Sequence, residues 1–428
     1  MRGSDAPAPS AGVSSPATDD LLSTTVEGVR VVHDPRAHTT HILDAATAAI
    51  WDAARRSAGA AMTTEGLASI GISPEDAARA RADLIRHGLL APPTGLCREA
   101  GETAAPGDGI DPGSHRRREL DESDRIGQPA ATGVRPESGA AAVVARRRAV
   151  DAHIELATDD HVVGESLISA TRHLAASADA THRIEIAAGN GRDERTVYVD
   201  GQLVARSPTA AHAVADARAA MTQLAAEAAR RRIVLHAGAV AAGDDAVVIV
   251  GPSGAGKSTL VAGLVRDGLS YLTDELVVID PGSFEVAPYP KWIDLTGPSC
   301  RLLGLAPGAS PGLATVPVAS GVGPKVAVDP VEIGSVATTG RVAAVVVLDL
   351  EPPVGPGLVP LTPLAALVDV LESTFPTTMA WPGGLDAVAE LVTAVPVAAL
   401  HRTDPTAARR LVRDVLSRRR PGRRSGSA

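Results

Sequence analysis

Short apolar runs and helical stripes alternate along the chain, and their spacing sets its organisation. Residues 1–24 are rich in Ala, Pro, Ser and Asp without any period, a composition that predicts disorder. In 25–95 the pattern tightens. Residues 29–32 and 40–43 read as strands around a turn at Asp34 and Pro35. Asp44 then caps a helix that turns Ala48, Ile50, Trp51 and Ala54 inward, and a short helix is predicted over 62–70. Ser73, Pro74, Glu75 and Asp76 supply the cap, first-turn proline and acids of a further helix. That helix carries Ala80, Leu84 and Ile85 and stops at Gly88, before Leu89 and Leu90. Strands followed by small helices and an apolar pair predict a compact winged-helix-like unit. Residues 96–145 are Gly- and Pro-rich with charge clusters and read as a flexible linker.

The stretch 146–415 alternates strands with helices, the pattern of an α/β domain. Strands are predicted near 152–156, 183–187 and 196–201, then an alanine-rich helix over 211–229 with Val214, Ala217, Met221 and Leu224 on one face. Apolar strands at 233–237 and 246–250 flank a turn at Gly243, Asp244 and Asp245. Further strands are predicted at 271–279, 286–288, 342–350 and 396–400, with helices at 365–371, 385–394 and 404–413. Residues 416–428 form a basic tail, expected to be disordered.

One segment carries chemistry. After the apolar run 246–250 come Gly251, Pro252, Ser253, Gly254, Ala255, Gly256, Lys257, Ser258 and Thr259, and then a stretch with helical spacing. Strand, glycine loop and helix start are the context in which G-x-x-x-x-G-K-[ST] becomes a phosphate-binding loop. The glycines let successive N–H groups point inward at phosphate oxygens, and the helix N-terminus adds its field. Lys257 is placed to reach the β/γ-phosphates and Ser258 to ligate Mg²⁺. The chain is expected to bind a nucleoside triphosphate.

Phosphoryl transfer also needs a carboxylate for the metal or the acceptor's proton. Asp274 and Glu275 interrupt the apolar run 271–279, where buried acids are costly without a partner. Their alternative is a solvent-exposed turn or edge. His236, near the end of the strand before the loop, is either a core histidine or part of the site. Lys257, Lys291 and Lys325 are the lysines of a chain that otherwise writes arginine for positive charge. Lys291 is a candidate phosphate or substrate contact or an incidental surface lysine. Lys325, in a Gly/Pro-rich loop, reads as incidental.

The order of His236, the loop 251–258 and the acids Asp274 and Glu275 resembles the catalytic domain of HPr serine kinase. The likeness is sharp over 233–295 and diffuse elsewhere in 150–415. It implies a fold related to phosphoenolpyruvate carboxykinase, use of ATP and Mg²⁺, Asp274 as the proton-handling acid, and Glu275 with Ser258 at the metal. His236, Asp274 and Lys257 are then the catalytic set. The chain departs from the bifunctional enzymes after the acid pair, where it has Pro288, Tyr289, Pro290, Lys291, Trp292, Ile293 and Asp294 instead of a Gly/Arg/Glu-rich signature. This puts the phosphorylase reaction and HPr as substrate in doubt. Residues 25–95 resemble PqqD-like domains, through the run from His41 to Trp51, Arg79 to Gly88, and Leu89 with Leu90. That likeness implies capture of a precursor peptide as an added strand. Together they imply a serine kinase acting on a ribosomally made peptide. A nucleotide-gated peptide-binding module without an acceptor is the alternative.

The bulk numbers narrow the field. A net charge of -9 and 2% aromatics disfavour a nucleic-acid-coating surface or base-stacking platforms. In 26–93 the acids balance the arginines, which weakens the reading of a DNA-binding regulator. The run Arg146, Arg147 and Arg148 reads as solvated. Cys97 and Cys300 make neither a disulfide framework nor a metal site. No signal peptide or membrane span is apparent, so a cytoplasmic protein is expected, with homo-oligomers as an open possibility.

Overall fold

The computed structural model describes residues 20–56, 73–90, 141–189, 191, 193–305, 313–316, 325–348, 357–401 and 404–418. They belong to two units, Met1–Arg117 and Arg118–Ala428.

In the first unit β1 (Leu22–Val26), β2 (Val29–Asp34) and β3 (Thr39–Leu43) form an antiparallel meander. Glu27 and Gly28, at φ 52° and 80°, make the two-residue turn whose twist suits a hairpin. β1 corrects the disorder expected up to residue 24. Leu22 to Val26 pair in register with His33 to Val29, and Thr24 and Val26 turn inward, a pattern too short to stand out from the polar stretch before it. Helix Ala45–Arg56 starts where Asp44 Oδ1 accepts from the Thr47 N–H at 2.7 Å, and helix Pro74–Arg86 where Ser73 Oγ accepts from the Asp76 N–H at 3.1 Å. Trp51 is sealed among Val32, Leu43, Ile50, Leu84, Leu89 and Leu90. The helix expected over 62–70 lies outside the described residues.

The second unit opens with β4 (Ala142–Ala149), ahead of the boundary expected at 146. β5 (Ala152–Thr158), β6 (Ala175–Ala176), β7 (His182–Ala188), β8 (Arg195–Val199) and β9 (Gln202–Ser207) complete a sheet ordered β6-β4-β5-β7-β8-β9. Arg146 sits on this sheet, bonded to Glu155 at 2.9 Å across the ladder. Helix Ala210–Ala228 packs on it through Ala213, Ala217, Met221, Leu224 and Ala225, with Val214 only half-buried. The buried stripe is therefore rotated from the predicted one, because the small side chains at 213 and 217 let the helix backbone approach closely. The same core takes in Val234, Leu276, Val278 and Tyr289, so this helix is shared with the next layer.

That layer is a ten-stranded mixed sheet. It contains β10 (Ile233–His236), β11 (Gly238–Ala242), β12 (Asp245–Val250), β13 (Ser270–Thr273), β14 (Leu276–Ile279) and β15 (Glu285–Ala287). A separate three-stranded sheet holds β16 (Ile293–Thr296), β17 (Leu313–Val316) and β18 (Lys325–Val328), none of which the sequence pattern announced. Lys325 thus opens a strand instead of lying in a loop. β19 (Ser335–Val336), β20 (Gly340–Leu348), β21 (Leu358–Pro360) and β22 (Val397–Leu400) return to the large sheet. Its order is β10-β14-β15-β20-β12-β11-β13-β19, with β22 on β20 and β21 on β22.

β12, β20 and β22 are parallel, and residues 247–250 and 345–346 have no exposure at all. Complete burial of each such aliphatic side chain contributes about 1.5–3 kcal/mol. The Gly243 turn joins β11 to β12, not β10 to β12, with Gly238 opposite Ile249. The C-terminal helix runs Pro405–Arg418, past the predicted end at 413, because Leu416 still reaches the core. Among the described residues no helix is long and apolar enough to cross a membrane.

Candidate functional site

The glycine loop leaves the C-terminal end of β12 and enters helix Lys257–Arg266. Gly251, at φ 148°, lies so close to β20 that an added Cβ would stand 3.0 Å from both Cβ and the carbonyl oxygen of Leu348. Gly254 and Gly256, at φ 77° and 97°, face open space. Positive φ at all three glycines, with open space beside Gly254 and Gly256, is compatible with a loop that wraps a phosphate group. Lys257 is buried and its Nζ donates to the carbonyls of Gly251 and Pro252 at 2.7 and 3.2 Å, so it curls over the start of the loop. Ser258 is half-buried in the first turn. Thr259 Oγ1 lies 2.7 Å from Ser299 Oγ, tying that turn to helix Gly297–Leu302.

The segment 271–279 is not one strand, as its apolar run implied, but two. Thr273 Oγ1 accepts from the N–H groups of Glu275 and Leu276, both at 3.3 Å, and this side-chain turn pulls Asp274 and Glu275 out of the ladder. β13 then pairs with β11 and β14 with β10. On the facing path the break falls at Ala237, whose N–H donates to the Glu275 carbonyl at 3.2 Å. The acids occupy the fork.

Register places the fork beside the loop. Gly238 stands opposite Ile249, and the next residue, Ala239, opposite Thr273. β12 and β13 are both antiparallel to β11, so both run out at the same edge of the sheet. One strand separates them, or about 10 Å between their axes. Carboxyl ends of parallel strands beside a glycine loop are where open α/β sheets bind ligands.

The acids are not solvated turn residues. Asp274 is sealed; its Oδ1 accepts from Tyr271 Oη at 2.8 Å and is ion-paired with Lys291 Nζ at 3.0 Å. Lys291 Nζ also lies 3.0 Å from Glu275 Oε2 and donates to the Trp292 carbonyl at 3.1 Å. Lys291 is therefore no surface lysine; its side chain is 5% exposed. Asp294 completes the cluster, 3.9 Å from Lys291 Nζ and bonded by Arg218 at 3.1 and 3.2 Å. Glu275 and Asp294 keep 27% of their side chains open, so the cluster is closed at Asp274 and accessible at the other two acids.

These contacts set the protonation states. Burial alone would draw the Lys291 ammonium down, but the carboxylates of Asp274, Glu275 and Asp294 outweigh it and hold its pKa above the usual range. Burial likewise opposes ionisation of Glu275, yet Lys291 and His236 together hold that carboxyl below its ordinary value. Asp294 is lowered too, with Arg218 and then Lys291 overcoming burial. Burial first, and Asp274 second, push the Tyr271 phenol well up, so it stays a donor. Three carboxylates, Asp274, Glu275 and Asp294, meet two cations, Lys291 and Arg218. Within these five side chains one negative charge is left in excess.

His236 ends β10 opposite Leu276, its N–H donating to the Ser373 carbonyl at 2.7 Å and its ring 6.4 Å from that of Phe375. The structure thus brings His236, Asp274, Glu275 and Lys291 together, and sets them at the same sheet edge as 251–259. Sequence reasoning missed Tyr271, Arg218 and Asp294. Arg218 was detectable in principle as an arginine lying on the buried stripe between Ala217 and Met221. Among the described residues no group of three or more His, Cys, Asp or Glu side chains is arranged to hold a metal ion by itself. A magnesium bound largely by substrate phosphates needs only one or two protein ligands. Ser258 and the open side of Glu275 fit that requirement.

No family model and no curated protein matches the chain. Among solved structures it is similar to the HPr(Ser) kinase/phosphatase from Coxiella burnetii, at 14% identity over 44% of this chain and 99% of that one, with a TM-score of 0.25. At that distance the likeness carries no argument about activity, and the residues themselves must.

Proposed function

We propose that the chain is an ATP- and Mg²⁺-dependent kinase that phosphorylates a hydroxyl, a serine by preference, on a ribosomally made peptide or small protein. Residues 25–95 would deliver that acceptor. The observation that supports this most is the shared sheet edge: a glycine cradle with its lysine, and one strand away an acid pair with one charge in excess.

In this reading the N–H groups of 251–259 and the Lys257 ammonium grip the triphosphate. Ser258 and the Glu275 oxygen not held by Lys291 would hold Mg²⁺, which when bound neutralises charge on the β/γ-oxygens. Asp274 Oδ1 is committed to Tyr271 and Lys291, and this fixes the carboxylate's orientation. Its other oxygen, Oδ2, would accept the proton of the acceptor hydroxyl once the bound acceptor has opened the cluster on that side, since Asp274 itself is buried. The hydroxyl oxygen forms its bond to the γ-phosphorus as the bond to the β–γ bridging oxygen breaks, and ADP leaves. His236 supports Glu275 in its ionised form. General-base assistance of this kind is worth about 10²–10⁴-fold.

The test is to incubate the protein with ATP, Mg²⁺ and candidate precursor peptides and to look for phosphopeptide by mass spectrometry. Phosphoserine formation supports the reading; intact ATP binding with no phosphorylated product counts against it.

One observation favours a second reading, a nucleotide-gated peptide-binding module. Asp274 is sealed and its Oδ1 is already engaged by Tyr271 and Lys291, which places it poorly to meet an acceptor hydroxyl. A module of this kind would show nucleotide-dependent peptide affinity and slow ATP hydrolysis indifferent to Asp274→Asn.

A further inference from the structure

Resting on the phosphoryl-transfer reading above, we infer that Lys291 is a built-in counter-cation holding the position a second divalent metal would take, so that the site takes one metal ion with its nucleotide and not two.

Phosphoryl-transfer sites often set two metal ions about 3.5–4 Å apart, with carboxylates bridging them. Here neighbouring carboxylates are bridged by a cation the chain supplies. Lys291 Nζ stands 3.0 Å from Asp274 Oδ1 and 3.0 Å from Glu275 Oε2. It also donates to the Trp292 carbonyl at 3.1 Å. Two carboxylate oxygens and a carbonyl therefore crowd the ammonium within 3.1 Å, and the chain itself supplies the acceptors around it. The position is also fixed from behind. Asp294 Oδ2 lies 3.9 Å from Nζ and is itself held by Arg218, whose Nη2 donates to the same Trp292 carbonyl at 2.9 Å.

Charge explains the choice of cation. A divalent ion bridging Asp274 and Glu275 would cancel both carboxylates and leave no basic oxygen for a hydroxyl proton. A monovalent ammonium leaves one negative charge on the pair. It also cannot dissociate, so the acid pair stays organised whether or not nucleotide is present. Glu275, more exposed than Asp274, keeps its second oxygen for the one metal that arrives with the phosphates.

The experiment counts metal directly, using Mn²⁺ alone on the full chain without nucleotide. Free Mn²⁺ is measured by electron paramagnetic resonance for wild type, Lys291→Met, Lys291→Gln and Lys291→Arg, with thermal melting alongside. Wild type and Lys291→Arg are expected to take up no Mn²⁺ at the acid pair. Lys291→Met or Lys291→Gln, whichever folds, is expected to gain one Mn²⁺ per chain and to melt several degrees higher when Mn²⁺ is added, but not when NaCl of equal ionic strength is. Adding Asp274→Asn to that variant should abolish the gain. A folded Lys291 variant with no gained Mn²⁺ would overturn the inference, as would wild-type Mn²⁺ uptake that Asp274→Asn removes. Nucleotide affinity, measured separately with a fluorescent ATP analogue, judges the kinase reading: its absence would sink that reading while the Mn²⁺ count still decides the role of Lys291.

Discussion

Lys291 Nζ and Asp274 Oδ1 lie 3.0 Å apart in a pocket where neither residue exceeds 4% exposure, and that contact organises the whole sheet edge. The lysine is separated from the acid by two strands' worth of chain, yet it gathers Glu275, the Trp292 carbonyl and, through Asp294, Arg218. Removing either member of such a pair strands a buried charge. The cluster is therefore a place where small substitutions have large effects.

The bond between Arg218 and Asp294 joins the alanine-rich helix to β16, and each partner alone is a liability. Arg218→Met should destabilise the chain by up to about 3–5 kcal/mol, because Asp294 loses the nearer of the two cations that offset its burial and keeps only Lys291 at 3.9 Å. Arg218→Met with Asp294→Asn should cost less than that single change. Denaturant unfolding of the set as a double-mutant cycle measures the coupling, and strict additivity would mean the pair is independent.

Gly238 tests how the acid fork is seated against the loop's helix. An added Cβ there would stand 2.5 Å from Val261 Cγ2, on the face of helix Lys257–Arg266 that packs on β11. Gly238→Ala should lower stability by about 1–3 kcal/mol through overpacking. Val261→Ala on the same chain should relieve part of that loss, so the double variant melts above the sum of the singles. Equal or additive melting temperatures would show that the contact has slack.

In the first unit the pH response is set by His33. Burial first, then the neighbouring His38, with a smaller push from His41 and an opposing pull from Asp34, bring it down to about 4. An unfolded histidine titrates near 6.5, so below that pH the unfolded chain binds the extra proton. The stability His33 contributes is complete above about pH 6.5 and is lost as the pH falls toward 4, about 3 kcal/mol in all. Protection of the Val31 and Val32 amides, corrected for intrinsic exchange, should drop across that interval in wild type. In His33→Gln it should stay flat.

The parts of the site carried by contiguous residues were legible in the sequence. Gly251 to Thr259 need only their own backbone and the strand before them, and the apolar run of β20 announces a buried strand without outside help. The fork was half legible: Asp274 and Glu275 stood out as acids in an apolar run, but the two separate pairings of β13 and β14 follow from the Thr273 side-chain turn, which spacing does not reveal. Arg218 was readable as an arginine on a buried stripe, but its partner, 76 positions away, was not. The β16, β17 and β18 sheet was missed for a related reason. Its strands have four residues each, too few for an alternation to rise above chance. Lys291 was noticed for its rarity, and only packing shows that it is buried and what it holds.

The most direct measurement follows transfer of radiolabelled γ-phosphate from ATP to an acceptor peptide, in wild type and Asp274→Asn, with nucleotide affinity determined for both. The account predicts equal affinity and a transfer rate about 10²–10⁴-fold lower in the variant. Unchanged transfer in Asp274→Asn would contradict it.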